Sequence, residues 1–347
     1  MVSDNTSPFA HPDSPAIEVE KLVKSFGTFV AVNNASFKVP RGHVVGFVGS
    51  NGAGKTTTMR ILATLDYPTS GNAKIGGHDV VEYPDRARRL LGWMPDDYGT
   101  YKDMTGREYL DFFARAYGYR GEERHRRVND VIEFTELNEI ADRYIDKLSK
   151  GMGQRLCLGR ALVHDPEILI MDEPAAGLDP RARIDLKNLI RLLADTGKTV
   201  FISSHILSEL GEMCDSLLFI NNGTIIHHGS ADDLMQGASA GTVLEVQILG
   251  DPEKLQTWAS MVPDVEFVEA TKNGARLETT TTDKEDLAKL LRRMIKDDIQ
   301  VYDFRREERR LEEAFVDIVS GGGKIERKGE LAAKDPTPAT ETPANES

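Results

Sequence analysis

Residues Gly49–Thr57 read GSNGAGKTT: a glycine, four free positions, then Gly-Lys-Thr, the pattern of a phosphate-binding loop. Just before it, Val44, Val45, Gly46, Phe47 and Val48 form a short apolar run, as a strand buried on both faces does. Just after it, Thr58–Leu65 reads as the start of a helix, with Met59, Ile61, Leu62 and Leu65 available for burial. Strand, loop and helix in that order are the context the pattern requires. Gly49, Gly52 and Gly54 let the backbone curl so that successive N–H groups converge on one anion, helped by the positive end of the helix. Lys55 can reach the terminal phosphates and the Thr56 hydroxyl can hold Mg²⁺. The plain alternative, a glycine-rich turn, gives the Lys-Thr pair no reason to be there. The nucleotide is therefore expected along Gly49, Ser50, Asn51, Gly52, Ala53, Gly54, Lys55, Thr56 and Thr57.

Three later stretches add to this loop. Leu148–Pro166 (LSKGMGQRLCLGRALVHDP) starts with a plausible N-cap, Ser149, and places Gly151 and Gly153 at the mouth of a helix. Alone, it reads as a flexible helix start. Ile168–Met171 (ILIM) is a short apolar strand ending in Asp172-Glu173-Pro174. Two adjacent carboxylates in an apolar setting are costly to bury without a cation. Asp172 is thus expected on Mg²⁺, and Glu173 beside a water that it orients or deprotonates. A third strand, Thr199–Ser203 (TVFIS), ends at His205, a candidate γ-phosphate sensor. Phe26, in an SFG turn, is either a core aromatic or a platform for a purine base.

The chain has 347 residues, 40% apolar and 29% charged, with a net charge of −13. That length suits about two domains, on a prior of roughly 100–200 residues each. The acidic balance argues against non-specific nucleic-acid binding. Cys157 and Cys214 have no metal or disulfide-framework spacing and read as buried apolar residues of a reducing compartment. No apolar run approaches the roughly 18–20 residues of a membrane helix. The first residues, MVSDNTSPFAHPDSPA, lack the basic-then-apolar order of a signal peptide. A soluble, non-secreted chain is expected.

Together these motifs resemble, in family order, the nucleotide-binding subunits of ABC transporters over about Ile17 to Leu234. Gly49–Thr57 looks like Walker A, Leu148–Gln154 like the signature and Ile168–Asp172 like Walker B. Glu173 matches the catalytic glutamate, Ala175–Asp179 the D-loop, His205 the switch histidine and Phe26 the base-stacking aromatic. Two departures stand out. The signature reads LSKGM, with Lys150 and Met152 where LSGGQ is common. Asp96 follows the Leu90–Pro95 strand where the family usually has glutamine. It is one methylene shorter and fully charged, so it is expected to contact Mg²⁺ directly or through one water. The alternative is that Asp96 caps the following turn and Asp97 is exposed.

The resemblance implies an α/β fold, a P-loop NTPase of the ABC type with a mixed sheet core, an antiparallel β subdomain and a helical subdomain. It implies ATP and Mg²⁺ as cofactors. It also implies a head-to-tail dimer in which Ser149 and Gly151 of one copy complete the ATP site of the other, and it places Asp179, at the end of the D-loop, among the nucleotide-binding residues. Among its subgroups the chain looks most like the ATPase subunits of ABC-2 type exporters. Such a subunit drives a separate multi-helix membrane permease from the inner, cytoplasmic face of the plasma membrane. The rival reading is a soluble ABC ATPase acting on ribosomes or nucleic acid. One phosphate loop and no sustained heptads favour the transporter.

The expected organisation is a disordered 1–15, an ATPase domain over 16–236 with a helical insertion at about 105–147, and a small α+β domain over 242–320. Pro68–Gly77 reads as turns, and Gly237–Gly241 as a linker. The last domain reads β-α-β-β-α-β, which suggests a ferredoxin-like fold. A further helix is expected over Arg309–Val319 and a disordered tail over 321–347.

Overall fold

The computed structural model describes residues 9–11, 13–97, 99, 103–230, 242–281 and 283–306. The expected linker, the Arg309–Val319 helix and the tail lie outside them. The chain divides into two units, with the break between Gly229 and Ser230.

The first unit opens with an antiparallel sheet. Strands β1 (Ile17–Phe26) and β2 (Phe29–Val39) are joined by a tight hairpin, and β4 (Ser70–Ile75) pairs with the other edge of β1. The two-residue strand β5 (His78–Asp79) completes the order β2-β1-β4-β5. A six-stranded sheet follows. It contains β3 (Val44–Val48), β6 (Leu91–Met94), β7 (Ile168–Met171), β8 (Thr199–Ser204), β9 (Ser216–Asn221) and β10 (Thr224–Gly229), in the order β10-β9-β3-β8-β7-β6. All neighbours are parallel except β10, which closes the edge antiparallel to β9.

Every residue of β3, β7 and β8 is buried, as the unbroken apolar runs of β3 and β7 and the apolar Val200–Ile202 centre of β8 require. The two sheets share a core in which Phe37, Phe47 and Phe201 meet with centroids 5.1–6.0 Å apart. Helices α1 (Lys55–Leu62) and α2 (Pro84–Leu90) follow β3 and β5. The insertion holds α3 (Gly106–Ala116) and α4 (Gly121–Phe134), with a capping box at Thr105 and Glu108 starting α3. From residue 135 to 147 it is turns and one 3₁₀ turn, and Tyr144 makes a β-bridge to Thr105. Then come α5 (Lys150–Leu162), α6 (Pro180–Asp195) and α7 (Leu207–Gly211).

Two expectations fail here. The 68–77 stretch is not only turns, because β4 lies within it. Its polar SGNAKI sequence hides the strand. Gly71 (φ +83°) is needed there, since a Cβ would sit 2.1 Å from the Lys21 carbonyl oxygen. The described residues before Ile17 are also not free chain. Ala10 N–H bonds the Gly76 carbonyl, and Arg41 donates to the carbonyls of His11 and Ser14. The Arg41 guanidinium lies 3.5 Å from the Phe9 ring centroid, and such cation–π contacts anchor polar, proline-rich chain.

The second unit contains β11 (Thr242–Ile248), α8 (Glu253–Ala259), β12 (Val265–Thr271), β13 (Gly274–Thr279), α9 (Lys284–Lys296) and β14 (Val301–Arg306). Its strands run antiparallel in the order β12-β13-β11-β14. A β-α-β-β-α-β chain in that order has split βαβ topology. Leu244, Val246, Leu255, Leu277 and Met294 form its core. Trp258 is anchored by its Nε1–H donating to Asp297 Oδ2 at 2.8 Å.

Candidate nucleotide site

Strands β3, β6, β7 and β8 run parallel, so the segments leaving them emerge at one edge of the sheet, where open α/β sheets bind ligands. The loop after β3 is held by two close backbone approaches. A Cβ on Gly49 would sit 2.5 Å from the Ile220 carbonyl oxygen, and one on Gly54 2.5 Å from that of Ala31. Gly54, at φ 107°, is the N-cap of α1, with no side-chain cap and no acid in the first turn. The orphan N–H groups of this helix start therefore face outward beside exposed Ser50, Asn51, Gly52 and Thr56, the arrangement that receives an anion. Ala53 is buried, its carbonyl taking the Gly223 N–H, and Thr57 is half-buried on α1.

The Lys55 side chain is only 6% exposed. Its ammonium donates to the carbonyls of Gly49 (2.6 Å) and Ser50 (3.3 Å) and lies 3.3 Å from Glu173 Oε1. The other Glu173 oxygen is 2.7 Å from Nδ1 of His205, which is about half exposed. Lys55, Glu173 and His205 thus form one continuous line from the end of β3 to the end of β8. Glu173 sits at φ 47°, a left-handed conformation that non-glycine residues rarely hold.

Asp172 lies below this line, 1% exposed. Ser203 Oγ donates to it at 2.7 Å, and the Thr56 hydroxyl is near enough to act on its carboxyl. Burial pushes its carboxyl above the ordinary range. The two hydroxyls pull against that, and the charges of Glu173 and Asp96 push further up. Ser203 also accepts the Glu173 N–H at 2.9 Å, so one hydroxyl fixes both acids. Ser203 is not among the site residues expected from the sequence, although a hydroxyl at the tip of a strand whose centre is apolar marks it.

Asp96 is exposed just beyond β6, near enough for its charge to act on Asp172. It is Asp97, not Asp96, whose carboxylate accepts the Gly99 N–H at 3.0 Å and caps the turn. Phe26 is 51% exposed at the β1–β2 hairpin, with the Lys24 ammonium 4.8 Å from its ring centroid. A core role for that ring is excluded, and one aromatic face carries a cation.

Ser149, Gly151 and Asp179 gather elsewhere. Ser149 is the N-cap of α5 and accepts the Met152 N–H at 3.3 Å. Gly151 packs at α6, where an added Cβ would sit 3.0 Å from that of Ala182. Asp179 caps α6, accepting the N–H groups of Arg181 and Ala182 at 3.0 Å each. Among the described residues, no hydrogen bond or ion pair links these three to Lys55, Asp172 or Glu173.

Comparison with known proteins identifies the family. The family model described as "ABC transporter" matches residues 32–176. The probable multidrug ABC transporter ATP-binding protein YbhF of Escherichia coli K12 is 37% identical over 64% of this chain. That match spans 38% of the longer E. coli protein. Nod factor export ATP-binding protein I of Ralstonia nicotianae is 36% identical over 67% of this chain and 73% of its own length. A solved ATP-binding subunit of an ABC transporter superposes with a TM-score of 0.59 at 30% identity, covering 64% of this chain and 92% of that one. The chain belongs to the ABC transporter family, and the first unit is its ATP-binding domain.

Proposed function

We propose that the chain is the ATP-hydrolysing motor subunit of an ABC-2 type exporter. It would work as a head-to-tail dimer on a separate multi-helix permease, at the inner face of the membrane. The observation that carries the reading is the Lys55–Glu173–His205 line at the mouth of the phosphate loop. A buried ammonium held by two carbonyls and one carboxylate has anionic phosphate oxygens as its natural alternative partners. ATP would lie along Gly49–Thr57, with its base on the free face of Phe26. Lys55 would turn from its carbonyls to the phosphates. Glu173, released from Lys55 but still on His205, would hold the attacking water and accept its proton.

Thr56, Asp172 and Asp96 offer oxygen donors alone, the set that suits Mg²⁺. Asp172, raised by burial and neighbouring acids, is the kind of carboxylate a cation would relieve. When bound, Mg²⁺ would neutralise charge on the transferring phosphate. Ser149, Gly151 and Asp179 would serve the ATP of a second copy, which accounts for their separation from this protomer's own acids.

Among the described residues no helix is long and apolar enough to cross a membrane; the permease belongs to the proposal because the relatives are named for transport. The test is affinity purification of the tagged chain from detergent-solubilised membranes. A co-purifying multi-helix membrane protein is expected. Co-sedimentation with ribosomes, without such a protein, would overturn the transport assignment.

A further inference from the structure

Helix α7 has five residues and begins two positions after His205, too short to be stable by itself. It is seated by buried Leu207 and Leu210 and by basic side chains of α6 at four-residue spacing. Arg183 Nη1 is 2.8 Å from Glu209 Oε1, an ion-pair contact that is not aligned as a hydrogen bond. Lys187 pairs with Glu212, and Arg191 donates to the Glu212 carbonyl at 2.7 Å. The first rung differs from the others. The Glu209 side chain is 17% exposed, against 73% for Glu212. Arg183 also donates through Nη2 to the Leu178 carbonyl at 3.3 Å, one residue before Asp179. The Glu209 carboxylate lies within electrostatic reach of both His205 and Glu173. One guanidinium therefore spans the loop that ends at Asp179 and the helix that follows His205.

We propose that Arg183 and Glu209 are positioning residues for hydrolysis, holding His205 against Glu173 and tying it to the loop before Asp179. This rests on the reading of Glu173 and His205 as the hydrolytic pair. Neither Arg183 nor Glu209 touches nucleotide; they act through the place of the imidazole. Without the pair, α7 stays docked by its leucines and by the Glu212 contacts, but His205 loses the restraint four residues after it. Phosphate binding by Lys55 and the glycine loop is untouched, so the loss falls on turnover.

The test is steady-state ATP hydrolysis by the purified full chain, comparing Arg183→Gln, Glu209→Gln, the double variant and Lys187→Gln. Each of the first two should lower kcat by about tenfold to a hundredfold, the scale of a displaced reacting group, with KM for ATP within about twofold. The double variant should be no slower than the worse single, as expected of residues acting as one unit. Arg183→Lys keeps the charge but not the fork that reaches both Glu209 and the Leu178 carbonyl, so it should recover only part of the loss. Lys187→Gln breaks an exposed rung and should stay within about twofold of wild type. Wild-type kcat in a folded Glu209→Gln protein would overturn the proposal. So would an equal loss in Lys187→Gln, which would make the effect one of α7 docking alone. If Glu209→Gln does not fold, Glu209→Asp, shortened by one methylene, replaces it with the same criterion. A wild-type chain that binds no ATP would contradict the function proposed above, whatever the variants do.

Discussion

At the residue scale, Asp96 and Asp97 divide two roles that adjacent aspartates could each have taken. Asp97 spends its carboxylate on the Gly99 N–H, while the Asp96 charge is felt by buried Asp172. A second carboxylate near a buried first one raises the site's demand for a cation. Replacing Asp96 by glutamine should therefore leave ATP affinity intact at ample Mg²⁺ and move the Mg²⁺ midpoint for hydrolysis to higher concentration. Thr56→Ala is the positive control. Superimposable Mg²⁺ titrations for Asp96→Gln and wild type, with Thr56→Ala shifted, would remove Asp96 from the metal site. Much at this scale is legible in the sequence, because Asp172, Glu173 and His205 are the wrong residue types for apolar strand ends, and Lys55 follows a glycine loop that gives it no structural task. Arg183 and Glu209 are not, since each works through a neighbour that only the fold supplies.

At the element scale, the ends of α3 and α5 are joined to β6 through one histidine. Tyr117 stacks on His164 with centroids 4.0 Å apart and planes 7° from parallel, and His164 Nε2 is 3.0 Å from the Leu91 carbonyl oxygen. With Nε2 donating, Nδ1 is left to take the second proton, and among the described residues it is buried without a partner. Burial accordingly lowers this imidazole from 6.5 to about 4. The folded value lies below the unfolded one, so the unfolded chain binds the proton first on acidification. Stability held above pH 6.5 should be lost as pH falls towards about 4, by up to about 1.4 kcal/mol per pH unit. His164→Gln, which keeps a donor for Leu91, should flatten that limb in urea denaturation between these pH values. An unchanged slope would show that His164 is not the group responsible. The sequence exposes fully apolar elements such as β3 and β7 readily. It hides β4, whose polar residues form a strand only because β1 offers an edge, and the anchored Phe9, whose partner Arg41 is distant in sequence.

At the scale of the whole molecule, the proposed dimer assigns Ser149 and Asp179 of one copy to the ATP held by Lys55 of the other. Ser149→Arg should abolish hydrolysis while sparing the protomer's own phosphate loop, and Lys55→Ala should abolish it by removing the ammonium from the phosphates. Mixed in one preparation, the two inactive proteins form dimers with one doubly damaged site and one intact site. Some hydrolysis should return, and its absence from proven mixed dimers would contradict action across the dimer. The central claim, that Glu173 is the group which activates water beside Lys55-bound ATP, is tested most directly by hydrolysis and ATP binding measured on the same Glu173→Gln preparation. The account predicts ATP affinity like that of wild type, turnover lower by about a hundredfold or more, and an ATP-bound dimer accumulating on size-exclusion chromatography. Turnover by Glu173→Gln at the wild-type rate would contradict it.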